Sequence, residues 1–257
     1  MNRHPWTLAA MTLAPLMAFN ARAWNSAPPP EPDGRGFGAI VTIEGKCRGV
    51  KIAPRRFLTA THCSFVSRWK KGDSLQVEGN SVFSTSKARL LVSEIHKFRG
   101  FDYEVPFRAP DLTLIETTED IPGLPYAQLA RSLPKDARRL IYATYNCPPP
   151  PAGGSEDYGY LYLNRADIVG YHDDLIALKT ASCSGDSGGP LFLGNSEVIG
   201  ILSGEGDDPG SPNDVVTWFW RLDSGPVRAW LNEIIGGLQA ATAPTSHIFT
   251  AAFPSRP

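Results

Sequence analysis

The residues most able to do chemistry surround one serine, in the segment Cys183-Ser-Gly-Asp-Ser-Gly-Gly-Pro190. A serine hydroxyl becomes a good nucleophile only when a base takes its proton, and the oxyanion it then creates needs backbone N–H donors. Because Gly185 has no Cβ, its N–H can turn toward the same point as the N–H of Ser187. The segment therefore predicts a nucleophile at Ser187 and an oxyanion hole formed by Gly185 and Ser187.

A general base for this serine must be one of the histidines of the chain, which are His4, His62, His96, His172 and His247. His62 lies near the end of an apolar and β-branched run, Phe57-Leu-Thr-Ala-Thr-His-Cys63, which predicts a buried strand whose end is fixed by a disulfide. Such a strand would mount an imidazole rigidly. We expect His96 and His172, which have polar neighbours, to be exposed polar residues. His62 is the predicted base.

The carboxylate that orients the base is predicted at Asp111. It opens the alternating run Asp111-Leu-Thr-Leu-Ile115, so it can be buried at the start of a strand. Asp102 is the alternative, but its segment, Phe101-Asp-Tyr-Glu104, is not followed by a buried strand. The predicted order is histidine, aspartate, serine, with separations of 49 (111 − 62) and 76 (187 − 111) residues.

The same glycines also fit G-x-S-x-G, the nucleophile elbow of α/β-hydrolases. That fold places the serine before its acid and its histidine, and a helix begins directly after the turn. Here Ser187 is followed by two strand patterns, Pro190-Leu-Phe-Leu193 and Glu197-Val-Ile-Gly-Ile-Leu202. Only His247 follows the serine, in a tail rich in Pro, Ala and Thr. Both observations exclude the elbow.

Four segments, in this order, resemble the chymotrypsin/trypsin-like serine protease family, in a bacterial-type secreted or periplasmic form. They are Thr59-Ala-Thr-His-Cys63, Asp111-Leu-Thr-Leu-Ile115, Gly185-Asp-Ser-Gly-Gly-Pro190 and Gly200-Ile-Leu-Ser203, within residues 39–235. Thr61 departs from the commonest family pattern, which has a second alanine there. The resemblance implies an all-β fold of two six-stranded antiparallel barrels. It also implies a serine endopeptidase that acts through a Ser-His-Asp triad and an acyl-enzyme intermediate.

The resemblance also places the primary specificity pocket. Its base is six residues before Ser187, at Ala181, so cleavage after Arg or Lys loses its usual aspartate, and we expect a small or medium apolar side chain instead. Ser203, Gly204 and Glu205 form the edge that pairs with the substrate backbone by strand addition. Glu205 stands where the family usually has a glycine or a small apolar residue. It can narrow the pocket mouth, favour a basic side chain or point into solvent.

Activation of the family depends on the aspartate that precedes the serine, here Asp186. It is buried and paired with an amino terminus freed by cleavage, since a buried carboxylate needs a partner. This chain has no Ile/Val-Val-Gly-Gly start. Three partners for Asp186 stay open: Trp24 as the first residue after signal cleavage, another new terminus, or an internal cation.

The four cysteines are expected to form two disulfides, as is usual in exported proteins. Cys47 and Cys63 match the histidine-loop disulfide of the family. That pairing leaves Cys147 with Cys183. A zinc site is disfavoured, because the chain has no C-x-x-C pair and the disulfide explains the two cysteines nearest His62. We expect no metal and no other cofactor.

The first 23 residues predict a signal peptide, with a basic start, an apolar stretch over 8–19 and the small-x-small site Ala21-Arg-Ala23. The apolar stretch is too short to span a bilayer comfortably. No cysteine near the cleavage site could carry a lipid anchor. The mature chain would have 234 residues (257 − 23), enough for one substantial domain or two small barrels. We expect a secreted or periplasmic protein without a membrane anchor.

Gly and Pro separate many short β-rich runs, which predicts an all-β barrel or sandwich. The clearest runs are 39–43, 50–52, 89–93, 140–145, 158–163, 175–178 and 215–222. One helix is predicted near the end, with Ser224 as its cap, Pro226 in its first turn and an apolar face of Val227, Trp230, Leu231 and Ile234.

The predicted organisation is a signal peptide over 1–23, an N-terminal segment over 24–36, a peptidase domain over 37–238 and a loosely ordered tail over 239–257. Within the domain, barrel one covers about 37–117, barrel two about 137–223 and the C-terminal helix 225–236. Residues 117–136 are the best linker between the halves. His62 and Asp111 precede this linker and Ser187 follows it, so we expect the site in a cleft between the barrels.

A net charge of −1 argues against binding to nucleic acid or to a membrane surface. The expected partners are a protein or peptide substrate and a proteinaceous inhibitor. Two other functions stay open, a non-catalytic binding protein on a protease scaffold and an esterase. Protease-like proteins without activity usually lack a triad residue, whereas this chain keeps all three.

Overall fold

The computed structural model describes residues 35–79, 86–105, 107–145, 161–194, 197–208 and 211–235. The first half forms a closed barrel of six antiparallel strands, in the order β1-β2-β3-β6-β5-β4. The strands are β1 (Ile40–Ile43), β2 (Cys47–Ala53), β3 (Arg56–Thr59), β4 (Ser74–Gly79), β5 (Lys87–Lys97) and β6 (Thr113–Thr117). Pairing of β1 with β4, from Val41–Gly79 to Ile43–Val77, closes the barrel.

The second half forms another barrel. Its strands are β7 (Gln128–Leu129), β8 (Arg139–Tyr145), β9 (Leu161–His172), β10 (Leu175–Leu178), β11 (Pro190–Leu193), β12 (Glu197–Asp208) and β13 (Ser211–Arg221). The sheet order is β11-β8-β9-β10-β13-β12-β7, and pairing of β11 with β12 closes a ring of six strands. The short β7 is parallel to the start of β12. The predicted fold of two antiparallel barrels is therefore confirmed.

Alternation along the strands fills each barrel and also joins the two barrels. In β1, Val41 points into the core of barrel one, whereas its neighbour Ile40 belongs to a cluster shared by both halves. In β8, Tyr142 lies in the core of barrel two and Ile141 lies in the shared cluster. Successive strand residues face opposite sides of a sheet, so each strand contributes to an interior and to the contact between barrels.

Three helices accompany the barrels, α1 (Arg35–Gly38), α2 (Thr61–Ser67) and α3 (Gly225–Ile235). The predicted C-terminal helix is α3, which buries Val227, Leu231 and Ile235. Its Trp230 ring meets the edge of Phe98, which follows β5, with ring centroids 5.5 Å apart. The helix therefore also contacts barrel one. Ser224, the predicted cap, lies directly before α3, where its carbonyl accepts from the Arg228 N–H at 2.8 Å and its hydroxyl donates to the Arg221 carbonyl at 3.3 Å.

Several predictions concern residues outside the described part of the chain. These are the signal peptide over 1–23, most of the segment over 24–36, the tail over 239–257 and Cys147. Among the described helices, none combines the length and apolar character that crossing a bilayer requires.

Candidate active site

His62 and Asp111 lie together at the edge of barrel one. The predicted strand before His62 is shorter than expected, because β3 ends at Thr59 and the histidine lies in the first turn of α2. The Asp111 carboxylate accepts from the His62 backbone N–H at 2.8 Å, and its other oxygen is 2.6 Å from Nδ1. The contact at Nδ1 favours the tautomer with its proton on that atom, which leaves Nε2 able to accept a proton.

Asp111 is almost completely buried, with 1% of its surface exposed. The Ser203 hydroxyl, from β12 in barrel two, donates to Asp111 Oδ2 at 2.8 Å. Three hydrogen bonds therefore satisfy the carboxylate, which a buried charge requires. Ser203, predicted to bind the substrate backbone, also joins the second barrel to the acid of the first.

Ser187 packs against the segment that carries His62. The Arg48 N–H of β2 donates to the Ser187 carbonyl at 2.8 Å. Cys63 Sγ, on the residue after His62, is 3.7 Å from the same carbonyl. Across the described residues no hydrogen bond joins the Ser187 hydroxyl to His62. Catalytic hydrogen bonds are often long in the absence of substrate and tighten only in its complex.

The glycines beside Ser187 adopt the conformations that the sequence suggests. Gly185 has a φ of +98° and Gly188 a φ of +81°, values that side chains disfavour. A Cβ on Gly188 would also lie 2.3 Å from Thr59 Oγ1, so this residue must be glycine for the loop to meet β3. In the described structure, the N–H groups of Gly185 and Ser187 donate to no protein acceptor, which leaves both available to an oxyanion.

The disulfide predicted between Cys47 and Cys63 is confirmed, with an S–S distance of 2.06 Å. It ties α2 to β2 directly beside His62. The atoms of Cys47, His62 and Cys63 that could bind a metal lie within 4.8 Å of one another, but the disulfide occupies both sulfurs. Cys183 is also disulfide-bonded, and its predicted partner, Cys147, lies outside the described residues.

Sequence and structure comparisons agree with this architecture. The trypsin family model matches residues 160–223. Neuropsin, a serine protease expressed in the limbic system of mouse brain, has a similar structure, with a TM-score of 0.61 and 19% sequence identity. The alignment covers 79% of this chain and 96% of the neuropsin chain. A scabies mite inactivated protease paralogue has a TM-score of 0.59 and 16% identity, covering 79% of this chain and 98% of its own. No curated protein matches by sequence.

The resemblance to chymotrypsin/trypsin-like serine proteases is confirmed. At such low identities the solved structures establish the fold alone. One of the two is titled an inactivated paralogue, so activity has to be argued from the side chains of this chain.

Asp186, for which the family resemblance predicts a role in activation, is fully buried. Burial raises its pKa to about 6, whereas hydrogen bonds from Thr144 and Cys183 and the charge of Arg48 act in the opposite direction. The Thr144 hydroxyl and, at 2.7 Å, the Cys183 N–H both donate to Oδ2. Arg48 is 2% exposed, and burial lowers its pKa to about 9. The charge of an internal cation therefore acts on Asp186, and the pairing of Asp186 with a new amino terminus stays a prediction.

The predicted pocket residues lie on two segments next to Ser187. Ala181 is exposed, and Gly204 is half-buried beside the Phe107 ring. Glu205 is exposed, yet one of its carboxylate oxygens accepts a hydrogen bond from the Ser182 N–H. The Phe107 ring packs 6.2 Å from that of Trp218, the β13 partner of Gly204.

Sequence reasoning missed three residues that contact or face site groups, Arg48, Thr144 and Phe107. The residue types give little signal, because arginine and threonine are common in strands and Phe107 lies in a loop. The available clue was a polar residue between apolar neighbours in a strand, such as Thr144 in β8, since buried polar groups require partners.

Proposed function

We propose that this protein is a serine endopeptidase that cleaves protein or peptide substrates. The observation that carries the proposal is the His62–Asp111 pair, at 2.6 Å, packed against the loop that holds Ser187. In the chymotrypsin fold, a histidine–aspartate pair of barrel one and a serine of barrel two act together between the barrels, and the proposal assigns the same roles to His62, Asp111 and Ser187.

In the proposed reaction the Ser187 hydroxyl attacks the scissile carbonyl while His62 Nε2 takes its proton. Asp111 stays ionised and stabilises the imidazolium. The tetrahedral oxyanion accepts hydrogen bonds from the N–H groups of Gly185 and Ser187. His62 then protonates the leaving amine, and water, activated by the same histidine, hydrolyses the acyl-enzyme.

We further propose that the protein is exported. The Cys47–Cys63 disulfide supports an oxidising compartment, since such bonds are rare in the reducing cytosol. The sequence of 1–23 supports a secretory signal peptide.

The test is covalent labelling by an organophosphonate fluoride together with cleavage of a quenched casein substrate. We expect the wild type to be labelled and active, and Ser187→Ala to lose both signals, with turnover falling on the order of 10⁴-fold or more. Ser184→Ala is the matched control, because Ser184 is an exposed serine three residues earlier in the same loop. Proteolysis retained by Ser187→Ala, with an unchanged melting curve, would refute the assignment.

A non-catalytic binding protein is the second candidate, because one structural relative is titled an inactivated protease paralogue. A folded wild type that neither reacts with the phosphonate nor cleaves casein would favour that candidate. Labelling with hydrolysis of esters but not of peptides would favour an esterase.

A further inference from the structure

The edge of β12 beside the nucleophile is open to an extended peptide. β12 pairs with β13 on one side, and on the other side its pairing with β11 ends at Ile201. The Leu202 N–H then donates to the Gly189 carbonyl at 2.8 Å. From Ser203 onward no described strand pairs with this side. Unpaired backbone groups on a strand edge can bind a substrate by strand addition.

Glu205 crosses from this edge to the segment that leads into the nucleophile loop. Its carboxylate accepts a hydrogen bond from the Ser182 N–H. Thr217, directly opposite Glu205 in the β12–β13 register, donates from its hydroxyl to the Thr180 carbonyl at 2.9 Å. Thr217 is fully buried, whereas Glu205 is exposed. The predicted pocket therefore has two walls, strands β12 and β13 on one side and the segment 180–182 on the other. Thr217 connects these walls in the interior, and Glu205 connects them at the solvent-exposed rim.

We propose that Glu205 closes the mouth of the specificity pocket, so that the substrate residue on the amino side of the scissile bond must be small and uncharged: glycine, alanine or serine. This inference rests on the proposed endopeptidase function. A peptide paired with the open edge and attacked by Ser187 directs that side chain between the strand of Glu205 and the segment of Ser182. The carboxylate that joins these walls occupies the space a larger side chain needs.

In this arrangement the bulk of the Glu205 side chain affects the choice of substrate residue more than its charge does. An exposed ion pair changes an equilibrium constant by roughly fivefold at most, so a lysine or arginine gains little from a carboxylate at the solvent-exposed rim. To enter, it would also have to displace the hydrogen bond from Ser182. An acidic side chain meets the like charge of Glu205 as well as its bulk.

The test is a peptide library that varies only the residue on the amino side of the scissile bond, with active enzyme counted by phosphonate labelling. We expect the wild type to cleave after alanine and to discriminate against leucine and phenylalanine. Glu205→Gly should raise kcat/KM for leucine by tenfold or more, since each methylene admitted or excluded by an apolar pocket changes the rate about 10- to 200-fold. Glu205→Gln keeps the bulk and the hydrogen-bond acceptor, so it should still discriminate against leucine.

Asp136→Gly is the matched control, because Asp136 is an exposed acidic residue in the turn before β8, outside β12 and its open edge. It should keep the wild-type profile. A Glu205→Gly profile that stays narrow would overturn the inference, as would a wild-type preference for arginine or lysine that Glu205→Gln abolishes. Either result with intact labelling leaves the proposed endopeptidase standing. A folded wild type that the phosphonate does not label would overturn both proposals.

Discussion

The most informative perturbation outside the proposed triad is Asp186→Asn. Asp186 is completely buried, and burial raises its pKa to about 6 from an ordinary value of 3.8. Three charged or titratable groups interact with it electrostatically: Arg48 from β2, Glu205 from β12 and Tyr142 from β8. Arg48 lowers the pKa of Asp186 and Glu205 raises it. The pKa of Tyr142 is itself raised to about 12, so this phenol stays neutral at neutral pH.

Proton binding to Asp186 determines whether the free energy of unfolding rises or falls with pH. Between pH 4 and pH 6 the folded protein holds the Asp186 proton more tightly than the unfolded chain does, so the free energy of unfolding falls as pH rises. A shift of about two pKa units corresponds to roughly 3 kcal/mol. Asparagine cannot ionise, so the free energy of unfolding of the Asp186→Asn variant does not fall with pH for this reason. We expect the stability of the variant relative to the wild type to improve by roughly 3 kcal/mol between pH 4 and pH 7.

The assay is urea unfolding at pH 4, 5, 6 and 7, with both proteins carrying Ser187→Ala to prevent self-digestion. Taking the difference between the two proteins at each pH removes the contributions of all other titrating groups. Asp207→Asn, at an exposed acid, is the control for replacing a carboxylate by an amide. A flat difference for Asp186→Asn would refute the reasoning. A variant that loses stability relative to the wild type as pH rises would show that cation pairing outweighs burial.

Two further substitutions test the packing behind the site. Gly188→Ala places a Cβ 2.3 Å from a threonine hydroxyl of β3, so we expect lost phosphonate labelling and a stability loss of about 2 kcal/mol or more in urea unfolding. Gly194→Ala, where φ is also positive but a Cβ has open space, should cost about 1 kcal/mol or less and keep the labelling. Lys51→Met leaves the Leu124 carbonyl, which accepts from Nζ at 2.7 Å, without this donor, so thermal and urea unfolding should show a loss of about 1–3 kcal/mol. Lys71→Met, at an exposed lysine, should change stability by less than about 1 kcal/mol.

The features that sequence predicted best are those encoded by neighbouring residues. The glycines around Ser187 need conformations that other residues disfavour, so their pattern is readable without the fold. The apolar alternation after Asp111 and the spacing of Val227 and Leu231 likewise gave a strand and a helix at the correct places.

The features that were missed depend on contacts between distant segments. His62 was predicted at the end of a strand, because the run from Phe57 is apolar and β-branched. The chain instead turns into the seven-residue helix α2, which is too short to be stable alone. Its disulfide to Cys47 and the hydrogen bond between its His62 N–H and Asp111 stabilise it in the fold. Arg48 and Asp186 are 138 residues apart (186 − 48), so no local pattern could reveal that they interact.

The geometry of the proposed triad and the packing of the two barrels depend on the same bonds. Asp111 accepts from His62 in barrel one and from Ser203 in barrel two. Likewise, the Arg48 N–H of barrel one donates to the Ser187 carbonyl of barrel two. A small rotation of one barrel would therefore lengthen the bonds that orient the His62 imidazole and would also move Ser187. Because the shared apolar cluster opposes that rotation, close packing between the barrels preorganises the proposed site. If the proposed function holds, substitutions far from Ser187 will therefore lower activity without changing any residue of the proposed triad.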